Sequence, residues 1–307
     1  MIDKTELRMP SSTGRDTLHI ILWKPRGTVK GILQISHGMI ECIDRYDRFA
    51  SFMAENGYVV IGNDHLGHGE TAAGKNYGYF ASKNGSYYVV RDLHRISRYI
   101  KKQYPGEPLI LLGHSMGSFM ARRYAMTYGE ELDALILLGT GNKPACLLKI
   151  GLVLAKVLSR IKGERANSWL LEKLCFSLYN SHFQPVRTPS DWLTRDPKEV
   201  DAYRSHKHCQ FTFTLNGYRT LFEVLSFVQR KENIEKVPCS LPILLMSGEE
   251  DPVGNYGQSV KAVARSFRRA GVKRVICHLY PGARHELLNE LEYQTTQKDI
   301  LNWLRRL

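Results

Sequence analysis

Two patterns of apolar and polar positions alternate along the chain. One predicts strands and the other predicts helices. Short apolar runs are typical of buried strands, and they cover residues 18–23, 30–36, 58–61, 109–112, 134–138, 241–246 and 274–280. Apolar residues at helical spacing predict helices between them, over residues 45–56, 89–103, 116–128, 260–270 and 293–304. This alternation is typical of an α/β protein whose mostly parallel sheet is covered by helices on both faces.

The alternation stops for almost a hundred residues before it resumes. Residues 142–237 predict mainly helices and loops, rich in aromatic residues and lysine. An insertion at this point is best explained as a mainly helical cap over the carboxyl ends of the strands. We therefore divide the chain into a core, residues 1–141 and 238–307, and a cap, residues 142–237.

One stretch predicts a nucleophile. Gly113 and Gly117 flank Ser115 where an apolar run passes directly into a helical pattern. A strand that enters a helix without a loop must bend sharply, and glycines avoid collisions in such a bend. The bend exposes the Ser115 hydroxyl at the tip of the sheet.

A serine hydroxyl needs a base, and the base needs a third group that orients it. Asp251 and His285 each follow one of the last two predicted strands. We predict that Asp251 is the acid and His285 the base, in the chain order serine, acid, histidine. Glu249 and Glu250 are the alternatives for the acid.

The negative oxygen that forms during acyl transfer needs preorganised donors. Backbone N–H groups from the residue after the nucleophile and from the first strand–helix loop normally supply them. Met116 and Met39 occupy these two places, so their N–H groups are the predicted oxyanion hole.

Composition sets outer bounds on the function. The chain has 307 residues, with 43% hydrophobic and 24% charged, as in an ordinary globular protein. Its six cysteines are widely spaced, which favours reduced thiols. The mixed charge of the first residues predicts no signal peptide, and no apolar run approaches the roughly 20 residues that cross a bilayer. We expect a cytoplasmic protein.

The formal charge of +13 allows nucleic acid, anionic membrane or acidic substrates as partners. No nucleic-acid-binding motif accompanies the charge, so we expect no nucleic-acid partner. A predicted helix over residues 145–162 carries Lys149, Lys156 and Arg160 on one stripe. The stripe is either solvated surface or a contact that rests peripherally on anionic membrane.

Cofactor signals are absent from the pattern. Two groups contain residue types that bind metals, namely Asp64 with His65 and His68, and His206 with His208 and Cys209. The first group fits a glycine-rich turn with polar caps, and the second lacks a fourth ligand at usable spacing within the insertion. No glycine-rich phosphate loop is present. We therefore expect neither a metal nor a cofactor.

Five ordered motifs resemble a known family. They are His37-Gly38-Met39-Ile40-Glu41 followed by Arg45-Tyr46, Asp64-His65-Leu66-Gly67-His68-Gly69, Gly113-His114-Ser115-Met116-Gly117, Asp251-Pro252-Val253 and His285. They are similar to the α/β-hydrolase branch of monoacylglycerol lipases, bacterial lysophospholipases and the serine aminopeptidase S33 group. The resemblance implies an α/β-hydrolase fold, a triad of Ser115, Asp251 and His285, and an ester substrate with one acyl chain. Cys42 departs from the closest lipases, which often have histidine there.

The predicted function is that of a serine carboxylic-ester hydrolase acting on a monoacyl lipid or another small acyl ester. An aminopeptidase of the S33 type, an acyltransferase and a non-catalytic lipid-binding protein are the alternatives. Serine at position 115 disfavours the aspartate-nucleophile dehalogenases and epoxide hydrolases. The pattern identifies no substrate-binding residues.

Overall fold

The computed structural model describes residues 2–72, 74 and 76–307, and these contain an eight-stranded sheet. The strands are β1 Asp3–Pro10, β2 Thr17–Lys24, β3 Gly31–Ser36, β4 Tyr58–Asn63, β5 Leu109–His114, β6 Ala134–Leu138, β7 Ile243–Gly248 and β8 Val275–Tyr280. They lie side by side in the order β1-β2-β4-β3-β5-β6-β7-β8. β2 runs antiparallel to β1 and β4, and every pair from β4 to β8 is parallel. The predicted mostly parallel sheet is confirmed, with β1 as an additional strand.

Helices connect the strands and cover both faces of the sheet. Within the described residues they are α1 Asp47–Glu55, α2 Gly69–Ala72, α3 Gly85–Gln103, α4 Met116–Tyr128, α5 Ala145–Lys162, α6 Trp169–Phe176, α7 Pro197–Ser205, α8 Leu215–Val228, α9 Lys231–Ile234, α10 Gln258–Arg269 and α11 Tyr293–Leu304. None of them is both long and apolar enough to cross a membrane.

β5 shows how the sheet divides the apolar core into two layers. Successive side chains of a strand point to opposite faces. Leu109 and Leu111 pack in the layer that holds α3, α4 and α10. Ile110 and Leu112 pack in the layer that holds α1 and α11. The continuous apolar run of β5 therefore fits a central strand that is buried on both sides.

The segment between β6 and β7 contains α5 to α9. α5 packs closely on α8, as shown by Gly151: a Cβ at this position would lie only 2.8 Å from the Phe222 ring. α8 in turn packs on α3 and α4 and buries most of its side chains. This part of the insertion is thus continuous with the core, and the cap boundaries at residues 142 and 237 stay a prediction.

Candidate active site

Ser115 lies between β5 and α4 with a left-handed backbone, φ 51° and ψ −121°. A non-glycine residue rarely adopts a positive φ, and such strain concentrates at functional sites. The neighbouring glycines are required by contact: a Cβ on Gly113 would lie 2.5 Å from the carbonyl oxygen of Gly117. A Cβ on Gly117 would lie 2.0 Å from the carbonyl oxygen of Ser36. The turn is therefore as tight as the glycine spacing predicts.

Asp251 and His285 lie together on the loops that follow β7 and β8. The His285 Nδ1–H donates to Asp251 Oδ1 at 2.9 Å, and both side chains are buried. Because the carboxylate can only accept, the proton of neutral His285 resides on Nδ1, which leaves a lone pair on Nε2. This is the tautomer that a general base requires.

Asp251 is oriented and kept ionised by its neighbours. The Val253 N–H donates to Oδ1 at 2.8 Å, and the Ser247 hydroxyl donates to Oδ2 at 3.0 Å. Burial alone would raise the pKa of Asp251, but the His285 interaction and these hydrogen bonds outweigh it and lower the pKa. The alternative acids, Glu249 and Glu250, are exposed.

Ser115 and His285 both lie next to the end of β6. The Ser115 N–H donates to the carbonyl oxygen of Leu138 at 2.9 Å. Gly139 follows, and a Cβ there would lie 2.8 Å from Cε1 of His285. His114 precedes the serine, and its ring centroid is 4.9 Å from that of His285. The structure thus brings all three predicted triad residues to one edge of the sheet.

The loop after β3 lies beside the serine, where an oxyanion hole would have to be. A Cβ on Gly38 would lie 3.1 Å from the Ser115 Cβ. In the part of the chain that the structure describes, neither the Met39 N–H nor the Met116 N–H has a hydrogen-bond acceptor. Two unpaired backbone donors next to a serine are the arrangement that stabilises an oxyanion.

Glu41 holds this loop through four buried partners. One carboxylate oxygen accepts hydrogen bonds from the Gly38 N–H, from the Tyr46 hydroxyl at 2.9 Å and from His114 Nδ1 at 3.1 Å. The other oxygen accepts from Arg45 at 2.8 Å. Glu41 therefore joins the loop of Met39, a predicted oxyanion donor, to the residue that precedes Ser115.

Arg45 extends the network to the base. Its guanidinium donates to both carboxylate oxygens of Glu286, at 2.8 and 2.7 Å, and Glu286 directly follows His285. Burial by itself would raise the pKa values of Glu41 and Glu286. His114 and Arg45 lower the pKa of Glu41 by more than burial raises it, and Arg45 has the same effect on the pKa of Glu286. Both carboxyls consequently have lowered pKa values. The sequence pattern places Glu41 and Arg45 in a motif without indicating their ion pair. It also gives no sign that His114 and Glu286 belong to the same network.

Aromatic side chains of the insertion lie over His285. The Trp192 ring centroid is 5.1 Å from the His285 ring. Tyr179 contacts Trp192 at 4.8 Å between centroids, and Phe176 stacks on it at 6.4 Å. The side of His285 that faces the insertion is therefore lined by aromatic, apolar surface.

The two groups of potential metal ligands behave differently. His65 and His68 are buried among aromatic rings, and burial lowers the pKa of His68 to about 3. Among the described residues, the group close enough to share an ion is Cys42, His206 and Cys209. This group includes a cysteine from the core that the sequence pattern did not connect with the insertion.

The strand order and the insertion after β6 are those of the α/β-hydrolase fold, and Ser115, Asp251 and His285 occur in the chain order that this fold uses. The family model described as serine aminopeptidase, S33, matches residues 27–292. The chain belongs to this family.

Known proteins agree with this assignment. A monoglyceride lipase of Rattus norvegicus is 28% identical over 92% of this chain and 84% of its own length. A monoglyceride lipase homolog of Monkeypox virus is 26% identical over 94% of both chains. The crystal structure of a carboxyl esterase from Bacillus coagulans, in complex with glycerol, superposes with a TM-score of 0.92 at 30% identity over 99% of both chains. The protein is a hydrolase of the lipase and esterase type.

Proposed function

We propose that the protein hydrolyses esters of monoacyl lipids, with monoacylglycerols or lysophospholipids as the substrate class, through an acyl intermediate on Ser115. The observation that carries the proposal is the 2.9 Å hydrogen bond between buried Asp251 and His285, because it leaves Nε2 free at the edge where Ser115 lies. Within the S33 family, this arrangement favours nucleophilic catalysis by the serine.

The proposed reaction has two halves. His285 Nε2 takes the hydroxyl proton of Ser115 as Oγ attacks the ester carbonyl carbon, and the N–H groups of Met39 and Met116 bind the oxyanion. Collapse of the tetrahedral intermediate expels the alcohol, which takes the proton from His285. Water then repeats the sequence on the acyl ester, and the fatty acid leaves with Ser115 restored.

Three observations support an acyl lipid over an aminoacyl substrate. The aromatic residues around Trp192 give His285 an apolar approach. An aminopeptidase needs a carboxylate for the free amine of its substrate, yet the buried Glu41 and Glu286 are already paired with Arg45. The rat and viral relatives are named as a monoglyceride lipase and its homolog, and the bacterial esterase was crystallised with glycerol.

The test is a substrate panel of 4-nitrophenyl esters, monoacylglycerols, lysophospholipids and aminoacyl anilides, combined with labelling by a fluorophosphonate. We expect the best turnover with single medium or long acyl chains, and labelling of Ser115 alone. Ser115→Ala and His285→Ala should remove nearly all activity, and Asp251→Asn should remove somewhat less. Ser266→Ala, on α10, is the matched control. Labelling of another residue, or faster cleavage of aminoacyl anilides, would contradict the proposal.

We further propose that the insertion rests on anionic membrane, through α5. Its buried face consists of Leu148 and the small residues Gly151 and Ala155, which lets α5 pack closely on α8. Large apolar side chains therefore remain outside and share one helical face, namely Leu147, Ile150, Val153, Val157 and Ile161, which are 44–73% exposed. We call these five residues the apolar face of α5.

The predicted basic stripe, Lys149, Lys156 and Arg160, is exposed next to the apolar face. An apolar face flanked by basic residues is typical of helices that lie in a membrane interface. Each basic residue near an anionic surface contributes about 1 kcal/mol, so reversing all three should weaken vesicle binding by at least about 100-fold. Raising the salt concentration should weaken it too, since the surface potential decays within about 8 Å at physiological ionic strength.

Sedimentation with neutral and anionic vesicles, at low and high salt, measures this binding. The experimental variant is Lys149→Glu with Lys156→Glu and Arg160→Glu. A matched control reverses three exposed charges on α10, Lys261→Glu with Arg265→Glu and Arg269→Glu, which changes the net charge equally. If both triple variants bind alike, net charge rather than α5 governs binding. If the wild type prefers neither vesicle, the membrane proposal is wrong.

A further inference from the structure

We propose that Cys42, His206 and Cys209 form a binding site for a thiophilic divalent cation, with Zn²⁺ as the best-fitting ion. One potential ligand atom of each residue lies within 4.8 Å of the others. The Cys42 sulfur is 3.9 Å from both ring nitrogens of His206. Two thiolates and an imidazole are a ligand set that zinc prefers over harder cations. The proposal is independent of the ester substrate.

The distance between Cys42 and His206 is close to the one that a bound ion requires. Zinc bonds of about 2.3 Å to sulfur and about 2.05 Å to nitrogen, at tetrahedral angles, place sulfur and nitrogen about 3.6 Å apart. The 3.9 Å separation between Cys42 and His206 therefore needs a contraction of a few tenths of an ångström. Side-chain rotation alone can supply such a change. His206 is the partly exposed member of the site, so solvent is the source of the water that we infer as fourth ligand.

The turn that carries two of the ligands is fixed partly by the His206 ring itself, whose Nδ1 accepts from the His208 N–H at 3.3 Å, so Nε2 is the nitrogen left for an ion. The Cys209 N–H donates to the carbonyl oxygen of His206 at 2.9 Å, which closes a turn with the spacing His-x-x-Cys. His208 is engaged elsewhere: its Nε2–H donates to Glu70 at 2.9 Å, and its Nδ1 accepts from the Tyr77 hydroxyl at 2.7 Å. His206 and Cys209 are thus held on the side of the turn that faces the third ligand.

Cys42 comes from the core, 164 residues before His206. It directly follows Glu41, which holds the loop of the oxyanion donors, whereas Cys209 belongs to the insertion. Sequence spacing argued against zinc because the insertion offers no further ligand, and the fold supplies that ligand, Cys42, from the loop after β3. As each S–Zn bond forms, the thiol releases its proton to solvent, so one ion displaces two protons. A bound ion would fasten the insertion to the loop after β3.

The test uses the full chain, reduced with a phosphine, stripped with a chelator and titrated with Co²⁺ and then with Zn²⁺. We expect one Co²⁺ per chain, with a thiolate-to-cobalt charge-transfer band and tetrahedral d–d bands that one equivalent of Zn²⁺ removes. Cys42→Ser and Cys209→Ser should each abolish the charge-transfer band or lower Zn²⁺ affinity at least about 10–100-fold. Cys239→Ser, which replaces an exposed thiol, should change neither.

Two results would overturn the site. One is a wild-type protein without a thiolate band, and the other is a band of undiminished intensity together with unchanged Zn²⁺ affinity in both Cys42→Ser and Cys209→Ser. If these variants fail to fold, zinc-edge X-ray absorption of the loaded wild type decides. Two sulfur atoms at about 2.3 Å support the site, and a shell of nitrogen and oxygen alone refutes it. Neither readout depends on ester hydrolysis, so its outcome is separate from that of the proposed function.

Discussion

Arg45 is the cation on which two buried carboxylates depend, so Arg45→Met is the most informative single change. The side chains of Arg45, Glu41 and Glu286 are 8%, 4% and 5% exposed, and the ion pairs measure 2.7–2.8 Å. Removal of one partner of a buried ion pair costs about 3–5 kcal/mol, because the remaining charge is left without compensation. With an unfolding entropy of about 2.1 cal/mol/K for each of 307 residues, this corresponds to a Tm lower by about 5–8 °C.

The pH dependence gives the change a signature of its own. Glu41 and Glu286 have pKa values below the ordinary 4.5, so their charged forms stabilise the fold. That contribution is complete above about pH 4.5 and is lost as the pH falls through the lowered pKa values. The difference in unfolding free energy between wild type and Arg45→Met should therefore be largest near neutral pH and shrink in acid. Urea denaturation across this pH range measures it.

Lys4→Met is the matched control. Lys4 also pairs with two carboxylates, Asp44 at 3.1 Å and Asp47 at 2.7 Å, but its side chain is 37% exposed. Exposed pairs contribute about 0–1 kcal/mol each, so loss of both pairs should lower the Tm by at most about 3 °C. The double variant Arg45→Met with Glu286→Gln should recover part of the loss by removing one unpaired charge. Equal Tm values for Arg45→Met and Lys4→Met would refute the reasoning.

Further changes test the tight turn at Ser115 and a second buried cation, Arg122. Gly117→Ala should abolish fluorophosphonate labelling, because the new Cβ would lie 2.0 Å from a backbone oxygen, whereas Gly27→Ala has open space and should label normally. Arg122→Met should lower the free energy of unfolding by about 1–3 kcal/mol, since its guanidinium donates to oxygens of Gly141, Asn142 and Val228 that would lose their donor. Arg122→Lys should lose less, and equal Tm values for wild type and Arg122→Met would contradict this.

The apolar pattern predicted the central strands because these strands are buried and therefore consist mainly of apolar residues. β1 escaped the prediction because it is an edge strand that pairs through its backbone with β2. Its side chains alternate between exposed and half-buried, and Thr5, Leu7 and Met9 are the weak signal of that alternation. An edge strand in which half of the residues are charged needs no apolar run, since one partner supplies its hydrogen bonds.

The positions of Ser115, Asp251 and His285 could be predicted because each follows directly from a strand. In parallel strands the carboxyl ends share one edge, so the order of elements fixes the neighbourhood. The contact between Arg45 and Glu286 spans 241 residues and follows from no local pattern. The same holds for Cys42 and His206. Identifying side-chain clusters between distant loops therefore requires the three-dimensional structure, even where the sequence predicts the strands themselves.

The buried charges of this network stabilise strained backbone beside the serine. Ile40 and Ser115 both have positive φ, 56° and 51°, on the two segments that carry the predicted oxyanion donors. Such backbone costs about 1–3 kcal/mol at each residue and persists only where the surroundings fix it. Glu41 bonds to Gly38 on the first segment and to His114 on the second. A hydrophobic replacement of these ions could preserve stability, but it would release both segments, which explains why charges are buried beside the serine.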